Sequence, residues 1–193
     1  MRIFLHFKKQ QLELFNSRLI AENEKFIRKE FSLEKSMMQL LIDVQDYFKQ
    51  VGESSNEENI SRLKIYLDMA SGGIDPVKME RTKTNRRDML RIACFYVLSQ
   101  LGEHLDQALR ILIDSIEKAK ETLNQVILSA YQSKLITDTH IKKTDSLDKC
   151  AKLWEQFQQN EQIKLIDKKL KLEVLQQDIN ILLDQTLTKL KTN

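Results

Sequence analysis

Apolar residues in the middle of the chain recur at Leu98, Leu101, Leu105, Leu109, Leu112, Ile116, Ala119, Leu123, Val126 and Ala130. The steps alternate between three and four residues, with one extra four-residue step at Leu105–Leu109. This spacing keeps one apolar stripe on one face of a helix. It predicts a single helix over about 86–136, which at ~1.5 Å rise per residue would be roughly 75 Å long. Asn85 stands where the N-cap would be, and Asp88 follows three residues later like the acid of a capping box. From Met89 to Leu98 the residues are apolar on nearly every side, so this end is expected to be surrounded. Farther on, Glu117, Lys118, Lys120 and Glu121 make the outer face polar, and 110–160 reads as a stalk. Gly102 lies inside the helix, where glycine costs about 1 kcal/mol relative to alanine, and predicts a bend or a close helix contact.

The N-terminal segment has its own near-heptad series: Leu12, Phe15, Leu19, Glu22, Phe26, Lys29, Leu33, Met37, Leu40, Val44, Tyr47 and Val51. No glycine or proline interrupts it, so one helix over 2–51 is preferred to two helices with Ser32 capping the second. Gly52 stops it. A short helix at 57–70 ends at Ser71-Gly72-Gly73, and Asp75-Pro76 opens a turn. Residues 52–85 thus form a loop and short-helix elaboration.

The last helix is expected from Ser146 to about 190. Ile163, Ile166, Leu170, Val174 and Ile181 share one side of it. Leu165, Leu172, Leu175, Ile179, Leu183 and Leu190 lie near the opposite side. Two opposed stripes need two covering surfaces, supplied by the other long helices or by a second copy in a homodimer. Leu172, Leu175, Ile179 and Leu183 are therefore a candidate interface, together with the large aromatics Trp154 and Phe157. For those two aromatics, a place in the core is the preferred reading.

The fold expected is all-α: an elongated, antiparallel, coiled-coil-like bundle of three long helices (2–51, 86–136, 146–190) plus a short one. It would form a single domain over 1–193, with a compact four- or five-helix bundle, broken near Ser32 and Gly102, as the alternative. Composition agrees. Four glycines and one proline in 193 residues leave few turns, and 41% hydrophobic residues in periodic order argue against disorder.

Charge adds one feature. Residues 78–91 hold six basic side chains (Lys78, Arg81, Lys83, Arg86, Arg87 and Arg91) and two acidic ones (Glu80 and Asp88), a balance of +4. The whole chain carries +3, so the remainder is +3 − 4 = −1. The segment is a candidate site for phosphates of a membrane surface or nucleic acid, or for an acidic partner. No aromatic residue interleaves it, which counts against single-stranded nucleic acid.

The longest apolar run, Ile92–Leu98, is 7 residues and cannot span a membrane. Met1–Lys9 has too short an apolar segment for a secretory signal. Phe4, Leu5, Phe7, Lys8 and Lys9 suit an amphipathic membrane foot less well than a packed terminus. Cys94 and Cys150 sit among apolar neighbours and read as buried free thiols, so a cytoplasmic location is expected.

Catalytic patterns are missing. His6, His104 and His140 are scattered outside any metal-ligand spacing, and no glycine-rich phosphate loop occurs. Asp43 and Asp46 share a helix face, but beside Lys49 they read as a solvated surface. The sequence thus leads to a non-enzymatic protein–protein interaction or scaffolding module with a long helical surface. It would need no cofactor, and no small-molecule substrate is indicated. The alternative is a membrane-surface or nucleic-acid-binding module using residues 78–91.

Overall fold

A computed structural model describes residues 4–81 and 85–192. Among them are eight helices: α1 (Leu5–Arg28), α2 (Leu33–Val51), α3 (Ser54–Ser71), α4 (Arg86–Gln132), α5 (Asp138–Lys143), α6 (Leu147–Phe157), α7 (Glu161–Glu173) and α8 (Gln176–Thr192). The only strands among the described residues are β1 (Ile74–Asp75) and β2 (Glu80–Arg81), paired antiparallel with Ile74 opposite Arg81. The protein is an all-α helical bundle. Its helices pack as two compact units, Gln10–Arg110 and Ile111–Asn193, the latter together with Arg2–Lys9.

The seam of α4 follows the apolar spacing. Leu98, Leu101, Leu105, Leu112, Ile116, Ala119, Leu123, Val126 and Ala130 are all buried, and only Leu109 is half-buried. Burying each large aliphatic side chain contributes about 1.5–3 kcal/mol. The oxygen of Asn85 accepts the Arg87 N–H at 3.0 Å, so α4 is capped where the sequence places its cap. A Cβ on Gly102 would lie 3.4 Å from Leu19 Cδ2, so this glycine marks a close approach of α1. The helix ends at Gln132 rather than near 136. Lys134 takes a left-handed φ of 59°, while Lys134 N–H donates to Tyr131 and Leu135 N–H to Ala130. That is a Schellman closure built without glycine.

The long helix expected over 2–51 is two helices. Lys29 is left-handed (φ 58°), and its N–H bonds the carbonyl of Phe26 while Glu30 N–H bonds that of Lys25. This second lysine-centred Schellman closure turns the chain back on itself. Phe15 faces Tyr47 with ring centroids 5.5 Å apart, Arg18 Nη2 meets Asp43 Oδ2 at 2.6 Å, and Ser36 bonds Glu22. These pairings run in opposite senses along α1 and α2, so the two form an antiparallel hairpin. Ser32 precedes α2, but its side chain makes no capping bond. α3 starts three residues earlier than expected and packs on α2, with Ile60 and Leu67 fully buried. Asp75 organises the next turn by accepting from the N–H groups of Val77 and Lys78.

In the second unit the expected 146–190 helix is divided into α6, α7 and α8. Asn160 caps α7 through its side-chain oxygen, which accepts from Gln162 and Ile163 N–H. Val174 is extended (φ −124°, ψ 158°) and separates α7 from α8. The turn at 158–160 between α6 and α7 lets Trp154 of α6 donate its indole N–H to Asp167 of α7 at 2.8 Å. Lys171 pairs with the same carboxylate at 2.8 Å. The division also resolves the two stripes. Ile163, Leu170, Val174, Ile179, Leu182, Leu183 and Leu187 enter the core, while Leu165, Leu172 and Leu190 stay outside.

Asp178, fully buried in the first turn of α8, accepts from Leu5 N–H, His6 N–H and His6 Nδ1 at 3.1, 3.3 and 2.9 Å. It satisfies two of the backbone donors that the start of α1 leaves unpaired. The N-terminal residues from Phe4 thus pack on this unit, as the preferred reading of that terminus expects.

Candidate functional site

The turn between α1 and α2 and the first two turns of α4 enclose a cleft of about 530 Å³. Phe26, Lys29, Glu30 and Phe31 come from the first side, and Arg87, Asp88, Leu90, Arg91 and Cys94 from the second. The spacing of Arg87, Arg91 and Cys94 puts all three on one face of α4. The left-handed closure at Lys29 throws Phe31 out of the hairpin, where it is 92% exposed. The Arg87 guanidinium lies 5.5 Å from the Phe31 ring centroid, and that of Arg91 lies 5.5 Å from Phe26. Each such contact is worth about 0.5–1 kcal/mol on an exposed surface. Phe26 also faces Phe95 with centroids 6.1 Å apart, and Ile27, Ile92 and Phe95 are largely exposed. The early part of α4 is therefore not surrounded as its all-round apolar sequence suggests. Only Met89, Ala93, Cys94, Val97 and Leu98 are buried there.

Polar groups in the cleft nearly balance: Lys29, Arg87 and Arg91 face Glu30, Glu34 and Asp88. Glu34 accepts a hydrogen bond from the Ser71 hydroxyl. Burial, with a further push from the Glu34 charge, raises the Cys94 thiol to about 11, so it stays protonated at neutral pH. It packs, buried, in the cleft floor.

Of the basic candidates, Arg87 and Arg91 line the cleft, while Lys78, Arg81 and Arg86 are exposed outside its lining. Lys83 lies outside the described residues. The apolar candidates divide differently. Trp154, Phe157, Ile179 and Leu183 are core residues of the second unit, Leu175 is half-buried, and Leu172 is 69% exposed. They do not present one continuous surface. Reading 2–51 as one helix hid Lys29, Glu30 and Phe31. The alternative break at Ser32 is the signal that points to them.

Among the other chemistry-bearing residues, His6 is paired with Asp178, and Asp43 with Arg18 and Gln39. Burial pushes the Asp43 carboxyl up, but hydrogen bonds from Gln39 and Arg18, with the arginine charge, hold it below the usual carboxylate range. Cys94 and Cys150 are both free and buried. Among the described residues no group of three or more His, Cys, Asp or Glu side chains could hold a metal ion, and no helix is long and apolar enough to cross a membrane. Compared with known proteins, the chain matches no family model, no curated protein and no solved structure.

Proposed function

We propose that the protein is a non-enzymatic interaction module whose first unit docks a partner protein at the Phe31–Arg87 cleft. The observation that carries this reading is the exposure of Phe31 with an arginine laid against its ring. Aromatic and arginine side chains are enriched among the residues that dominate protein interfaces. Ile27, Ile92 and Phe95 add exposed apolar surface of the kind that marks contact sites when contiguous. Three acids among three bases make the cleft a poor phosphate receptor. That balance favours a protein segment with an apolar anchor over the nucleic-acid or membrane reading of residues 78–91.

Affinity capture followed by binding measurements on the purified partner tests this proposal. Changing Phe31 and Phe95 together to Ala should weaken binding at least tenfold while leaving the helical signal intact. Leu172→Ala, in the other unit, should not change it. Binding indifferent to the double change would remove the cleft as the docking site. A steep loss of binding with salt would instead support the basic-segment reading.

A further inference from the structure

The two walls of the Phe31–Arg87 cleft carry the same charge pattern. The hairpin turn presents Lys29 next to Glu30, and the first turn of α4 presents Arg87 next to Asp88. All four side chains are exposed, and among the described residues none of them forms an ion pair. Glu30 accepts from the nearby Ser32 hydroxyl at 3.4 Å, which leaves its charge unneutralised. The Arg87 guanidinium lies against the Phe31 ring, a contact that leaves its N–H groups free to meet a carboxylate.

A base beside an acid on each of two facing walls is a self-complementary arrangement. A two-fold axis through the mouth of the cleft sets the hairpin wall of one copy against the α4 wall of another. Lys29 then faces Asp88 of the second copy, and Glu30 faces Arg87 of the second copy. The same operation repeats both pairs with the copies exchanged, as an isologous contact requires. A foreign partner would require no such match between the two walls. Phe31, 92% exposed beside Glu30, brings its ring to the opposing α4 wall. Ile92, one turn beyond Asp88, is exposed there to receive it.

We propose that the partner of this cleft is a second copy of the chain, held in a two-fold dimer. The inference rests on the reading of the cleft as a docking site and names what docks there. The reciprocal ion pairs set the register, while the contacts of Phe31, which salt does not screen, supply affinity.

Sedimentation equilibrium of the full chain across the micromolar range tests the proposal, and the wild type should show a reversible monomer–dimer equilibrium. Arg87→Glu sets two carboxylates against each other in both halves of the dimer, and Glu30→Lys sets two cations against each other. Each variant alone should dimerise about tenfold more weakly than wild type or worse. Both positions are exposed, so the helical signal should be unchanged. An equimolar mixture of the two variants should dimerise as tightly as wild type, because both contacts of the mixed pair again join opposite charges. Phe31→Ala should weaken the dimer by about tenfold. The proposal is overturned by a wild type that stays monomeric, by charge variants that dimerise like wild type, or by a mixture no tighter than either variant alone. A monomeric chain that captures a different protein through a photo-crosslinking residue at position 31 overturns the dimer and leaves the cleft as a docking site. A monomeric chain with no adduct at position 31 overturns both.

Discussion

Two pairs of an aromatic ring and a charged group sit at opposite extremes of exposure. Trp154 is fully buried and donates its indole N–H to Asp167, a carboxylate that Lys171 also neutralises. Phe31 is almost wholly exposed, with the Arg87 guanidinium against its ring. The difference follows from what each pair leaves unsatisfied. A buried indole and a buried carboxylate each need a partner, and each supplies the other's need while joining α6 to α7. A phenyl ring has no hydrogen bond to satisfy, and a guanidinium beside it keeps its hydration. The inner pair therefore serves folding. The outer pair leaves apolar area available to a partner.

Breaking the inner pair should have the largest effect. Trp154→Ala removes a large core side chain and leaves Asp167 with Lys171 alone, so unfolding in guanidinium should show a loss of about 3–5 kcal/mol. Leu172→Ala, at an exposed position of the same unit, should stay within about 0.5 kcal/mol of wild type. Equal losses at both positions would contradict the division into core and surface.

A second buried carboxylate sharpens the comparison. Asp178→Ala should cost about 1–3 kcal/mol by stranding the Leu5 and His6 N–H groups. Hydrogen exchange at those two amides should accelerate by more than at amides in the middle of α1. Unchanged protection there would mean that the start of α1 is held in another way.

The two lysine-centred helix ends offer a smaller effect of opposite sign. Lys29→Gly and Lys134→Gly should each stabilise the fold by about 0.5–1 kcal/mol, because glycine takes positive φ without a Cβ penalty. Thermal melts of the single variants measure this. Destabilisation would show that the lysine side chains contribute more than the backbone relief.

The smallest effect is at Cys94. Its thiol, raised to about 11, should react with a disulfide reagent at pH 8 far more slowly in the folded protein than after denaturation. The same shift bears on stability. The folded state keeps this proton above the ordinary value of 9.0, so its contribution is complete below that pH and is lost as pH rises toward 11. Alkaline denaturation of Cys94→Ala against wild type should show a shallower decline for the variant over that window.

Much of the bundle is written in the apolar spacing. The α4 seam, its Asn85 cap, the glycine stops at Gly52 and Gly72, and the Gly102 approach to α1 all follow from residue type and period. What the spacing conceals are helix ends made by residues that also favour helix interiors. Gly52 with φ 75° announces its turn, whereas Lys29 and Lys134 adopt similar backbone angles without any compositional mark. The Val174 break is equally silent, because a β-branched residue suits a seam as well as an extended link. The cleft inherits this difficulty. Arg87 and Arg91 stand out as charge, but Phe31 reads as one more residue of a rod until the hairpin turns there.

The central claim is that the Phe31–Arg87 surface meets a partner protein. The most direct measurement places a photo-crosslinking residue at position 31 and, in a separate sample, at position 172, followed by mass spectrometry of the adducts. Both positions are exposed, but they lie in different units. The account predicts one reproducible protein adduct at position 31 that is missing at 172 and is suppressed by Phe95→Ala. The same adducts at both positions, or none at position 31, would contradict it.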